Sequence, residues 1–67
     1  MTFIVKTKTF NHGRYTISRE QVFDSCEGYS WRVVATDPET ETSRVLIKGR
    51  KNAPSPAEIS RHCELYL

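Results

Sequence analysis

Residues 29–48, YSWRVVATDPETETSRVLIK, carry the plainest structural signal in the chain. From Tyr29 to Thr36 the residues alternate, which puts Tyr29, Trp31, Val33 and Ala35 on one face of an extended strand. Asp37-Pro38-Glu39-Thr40-Glu41 is turn chemistry, with the proline presetting φ. Ser43 to Lys48 returns as a second strand, with Val45 and Ile47 on one side. Pairing Trp31 with Ile47 and Val33 with Val45 keeps the large apolar groups together around a five-residue loop. A shift by two sets Arg32 opposite Lys48, an unfavourable like-charge pair.

Upstream, Thr2 to Phe10 is rich in β-branched residues, with Phe3 and Val5 expected on one face and Lys6 and Lys8 on the other. Asn11-His12-Gly13 supplies turn residues that tolerate positive φ, and Arg14 to Ser18 alternates again with Tyr15 and Ile17 together. A hairpin is the natural reading. Ser18-Arg19-Glu20-Gln21 then has the capping-box spacing. Val22, Phe23 and Cys26 follow at helical spacing, and Gly28 stands where a left-handed cap would stop a helix. The spacing predicts a short helix over residues 19–27; the competing reading carries the second strand on through Val22 and Phe23.

Downstream, Gly49 to Pro54 is a basic linker with helix breakers. Ser55-Pro56-Ala57-Glu58 is a strong helix start: a hydroxyl cap, proline at the first position and an acid at the third. Ile59, His62, Cys63 and Tyr66 recur at helical spacing and define a face to pack on the sheet. Ser18, Val22 and Cys26 echo Ser55, Ile59 and Cys63, which raises two ββα units as an alternative to shared capping grammar.

A chain of 67 residues makes one domain, 1–67, and buries only about 60% of its unfolded surface, so its stability is expected to be modest. The 37% hydrophobic content suffices for a core, expected at Trp31, Val33, Val45, Ile47, Ile59 and Cys63. Phe3-Ile4-Val5 is too short an apolar run for a signal peptide or a membrane span, and cytoplasmic residence is the expectation. Two cysteines, Cys26 and Cys63, are too few for a disulfide scaffold and are expected to be free and buried.

The expected fold class is α+β: a small antiparallel sheet of three to four strands in two hairpins, with the C-terminal helix packed on one face. An SH3-like barrel ending in that helix is the alternative. Two hairpins, a Trp-bearing strand at Trp31 and a terminal helix make an element order similar to that of the small archaeal SH3-like chromatin proteins. The chain departs from them in its weak net charge of +2 and its acidic central turn, so the resemblance assigns no residue a role.

His12, Cys26, His62 and Cys63 lack metal-ligand spacing, and His62 and Cys63 point about 100° apart on a helix. No nucleophile–base pair, carboxylate pair or Gly-rich phosphate loop is legible, so neither an enzyme nor a cofactor is expected. Charge is segregated: residues 1–19 carry Lys6, Lys8, Arg14 and Arg19 without an acid, while residues 20–41 are acidic. The candidate partner-binding residues are Lys6, Lys8, Arg32, Arg44 and Lys48 on the outward sheet face, Val34 and Leu46 alternating with them, and Arg50 and Lys51 nearby. The preferred expectation is a small non-enzymatic protein-interaction module, accessory or regulatory, with a protein partner. The alternative is a DNA- or RNA-binding protein using that basic face. No membrane partner is expected.

Overall fold

The computed structural model describes residues 1–67 as four strands and one helix: β1 (Thr2–His12), β2 (Tyr15–Asp24), β3 (Gly28–Asp37), β4 (Thr42–Arg50) and α1 (Pro56–Tyr66). The sheet is antiparallel in the order β1-β2-β3-β4. This is the expected α+β class. β1 and β4 are opposite edges, so the barrel alternative does not form. No helix is long and apolar enough to cross a membrane.

Each connection has its own chemistry. Gly13, at φ 60°, turns β1 into β2, one residue later than the Asn11-His12-Gly13 reading put it. At the next turn the Asp24 carboxylate accepts the N–H groups of Cys26 (2.8 Å) and Glu27 (3.1 Å), and Gly28 takes φ 83°. The predicted helix over 19–27 is therefore absent. Residues 19–24 are strand, and Gly28 closes a hairpin instead of capping a helix. The capping-box spacing lost because β2, flanked on both sides, satisfies its backbone through two ladders, where a short helix would be marginal. The two-ββα alternative falls with it.

The β3–β4 register also departs from expectation. Val33 pairs with Ile47, Val34 with Val45 and Trp31 with Arg50, with irregularities on both sides of Val33. Gly49, at φ 69°, sits in one of them. Arg32 is thus brought level with the basic end of β4, the arrangement judged unfavourable, but its charge is met from the other side: its Nε donates to Glu20 on β2 at 2.6 Å.

At the helix start, Ser55 Oγ accepts the Glu58 N–H at 3.2 Å, and Pro56 follows it, as the capping pattern requires. Ile17, Val33, Ala35, Ile47, Ile59 and Cys63 form the buried cluster, with Tyr15, Leu46 and Leu67 against it. Two core expectations fail. Trp31 is half-buried at the rim, and Val45 is 53% exposed because the bulge at Leu46 turns it to the opposite face. Cys63 is buried as expected, whereas Cys26 is exposed in the β2–β3 turn; both are free thiols.

Candidate functional site

An irregularity in β1 sets the site. Phe3 pairs with Phe23 and Ile4 with Val22, but Lys6 pairs with Gln21, leaving Val5 as an extra residue. The bulge reverses the alternation, so Phe3, Lys6, Lys8 and Phe10 share one face instead of dividing between two. That face is the one on which α1 packs. Lys8 and Phe10 line a cleft with Pro56, Ile59 and Ser60 of the helix.

Beyond the helix the same face is open and aromatic. Phe3, Phe23 and Tyr29 stand side by side on three neighbouring strands, with ring centroids 5.4 Å and 4.9 Å apart. Phe3 and Tyr29 remain more than half exposed. Rings in such contact gain attraction, but apolar surface left in water gains nothing from folding. The edge is held in place by its first residues: Thr2 Oγ1 donates to Asp24 Oδ2 at 2.6 Å, and the Ser25 N–H donates to the Met1 carbonyl at 3.2 Å. The Thr2 hydroxyl, then the Cys26 and Glu27 N–H groups, hold the Asp24 carboxyl below its ordinary pKa.

Between the rings and the helix lies a basic strip. Lys8 stands directly across from Arg19, and both share a cleft with Lys6 and Trp31. The Arg19 guanidinium lies 5.5 Å from the Trp31 ring centroid, and its Nη1 donates to the Pro54 carbonyl at 3.4 Å. Its Nε is buried without an acceptor. The ion pairs of the chain are Arg14–Asp37, Arg32–Glu20 and Arg50–Glu58. None involves Lys6, Lys8 or Arg19. Strand alternation sends Glu20, the neighbour of Arg19, to the opposite face.

The outward basic face expected from the sequence does not form. Lys6 and Lys8 lie on the helix side through the Val5 bulge, and Arg44 donates to the Tyr66 carbonyl at 2.7 Å. Arg50 is spent on Glu58 of the helix, and Arg32 stays on the outer face, neutralised by Glu20. Lys48 and Lys51 are exposed without a carboxylate partner. The Val34/Leu46 patch is likewise divided. Val34 sits beside Val45 on the outer face, and Leu46 packs against the core. Arg19, Phe3, Phe23, Tyr29 and Trp31 were not singled out as surface residues. Carrying β2 through Phe23 and counting in twos would have brought Arg19, Phe23, Tyr29 and Trp31 together, but not the residues beyond the β1 bulge.

No three His, Cys, Asp or Glu side chains gather closely enough to hold a metal ion. What the site offers instead is stacking surface next to unneutralised cations. Comparisons with protein-family models, curated proteins and solved structures find no match for this chain.

Proposed function

We propose that this domain binds single-stranded nucleic acid on the open part of its helix-side sheet face. The observation that carries the reading is the juxtaposition of Phe3, Phe23, Tyr29 and Trp31 with Lys6, Lys8 and Arg19, a basic strip with no carboxylate paired to it. Stacking surfaces for bases beside cations for phosphates are the two components of sequence-tolerant single-strand recognition. A duplex hides the base faces that the rings would use, so single strands are preferred.

Titration of fluorescently labelled single-stranded and duplex oligonucleotides at about 50 and 200 mM salt tests this. Tighter binding of the single strand, weakening steeply with salt, is the expected result. Equal weak binding of both forms, or none at 50 mM, rejects it.

One observation favours the second reading, an accessory or regulatory protein-interaction module. Edge strand β1 leaves Phe3, Ile4 and Val5 each more than two-fifths exposed beside an unpaired backbone edge. A partner strand docking there would be held by main-chain hydrogen bonds and apolar contact, and so would tolerate salt that releases a polyanion.

A further inference from the structure

The open face has two chemically different parts. One is aromatic, around Phe23; the other is cationic, around Arg19, four residues away along β2 and so about 13 Å distant. Within the cationic part the arrangement is unfavourable as it stands. Lys8 and Arg19 are direct cross-strand partners on one face, a like-charge pair that repels. Arg19 Nε is withdrawn from water without an acceptor, and the only protein acceptor its guanidinium reaches is the Pro54 carbonyl. Trp31 lies against that guanidinium, 5.5 Å from ring centroid to the guanidinium carbon, while Phe10 and Ile59 give the adjoining cleft apolar walls. Ser60 lines the same cleft, and no acid does.

We infer that the cleft between β1 and the first turns of α1, lined by Lys8, Arg19 and Ser60, is a phosphate seat. It takes one backbone phosphate of the bound strand while the bases lie on Phe3, Phe23 and Tyr29. The inference rests on the nucleic-acid reading and assigns the two parts of that face to different parts of the ligand. An anion between Lys8 and Arg19 converts their repulsion into two attractions, and the planar guanidinium fork matches the geometry of phosphate oxygens better than an ammonium does. Partial exclusion of water by Phe10 and Ile59 strengthens both contacts. The strand therefore lies in one register, with a single phosphate dominating the electrostatics.

The full chain and a short single-stranded oligonucleotide carrying one neutral methylphosphonate linkage, moved position by position, test this, with the Arg19 Nε–H resonance followed by NMR. Expected is a loss of about tenfold or more at one linkage, much smaller losses elsewhere, and a shift of the Arg19 resonance on binding. Arg19→Lys, which keeps the charge, should lose most of that linkage preference. Tyr29→Ala should weaken binding but leave the preference in place. Similar losses at every linkage, or an unmoved Arg19 resonance in a complex that forms, overturn the seat while leaving the nucleic-acid reading standing. A parallel titration with pyrophosphate separates the sources: a shift of Arg19 with pyrophosphate and no oligonucleotide binding overturns the strand as the ligand.

Discussion

Along β2 and β3, Ile17, Val33 and Ala35 lie under α1, whereas on the same face Tyr29 lies open and Phe23 is covered only in part, by its ring neighbours. The two regions are built of equally apolar residues on the same strands. They differ because an 11-residue helix is only about 16 Å long, while a 10-residue strand spans about 33 Å. One helix of this length can cover about half the sheet. Arg50 on Glu58 and Arg44 on the Tyr66 carbonyl tie it near each end to β4, which fixes the half it covers. In the covered half apolar side chains stabilise the fold; in the open half the same kinds of residue are free to meet a ligand.

The largest test of this division is in the core. Ile59→Ala should destabilise the domain by about 2–5 kcal/mol in urea unfolding, an amount comparable to the whole stability of a domain this small. Tyr29→Ala should cost well under half as much stability; equal costs would erase the distinction between the halves. The thiols report the same contrast. Cys26 should alkylate at once in the native protein and Cys63 only as the protein opens. Cys63 is slow both because it is enclosed and because burial, helped by the Glu64 charge, raises its pKa and keeps it a thiol.

Next comes the open half. Tyr29→Ala should weaken single-strand binding by about 1–3 kcal/mol, measured by fluorescence titration, with the melting temperature little changed. Replacing Lys6 and Lys8 together by Ala should flatten the dependence of log affinity on log salt by about 0.7 to 1.4 for a single strand, the lower value if Arg19 alone still neutralises the phosphate it shares with Lys8, and an unchanged slope would remove both lysines from the interface.

The smallest effect concerns the edge that carries Phe3. The Asp24 carboxyl has a folded pKa below its unfolded value, so its contribution is present above the unfolded pKa and lost as pH falls through the lower folded one. The wild-type protein should therefore lose stability below about pH 4, and Asp24→Asn should show a shallower acid loss in thermal melts between pH 5 and 2. An identical acid profile in the variant would show that Asp24 does not secure this edge.

Much of this was legible in the chain because it was local. The alternation from Tyr29 to Thr36, the Asp-Pro turn and the Ser55-Pro56 cap each depend on neighbours within a few residues, and each stands as read. Ile59 and Cys63 were legible as core for the same reason. The segment from Arg19 to Glu27 was misread because its local grammar fits two states, and only flanking strands select one. The candidate site suffered most. Its cationic members lie among the residues 1–19 that carry no acid, but which face Lys6 and Lys8 share depends on the single extra residue at Val5, just as that of Val45 depends on Leu46, and no periodic pattern signals either.

The sequence by itself determined the strands of the second hairpin, the helix and its cap, and the acid-free charge of the first strands, because those follow from backbone propensity and composition. The tertiary structure alone decided which face each charge occupies and which aromatic rings stay open. Side-chain direction in a sheet reverses with every inserted residue, and coverage depends on how far one short helix reaches.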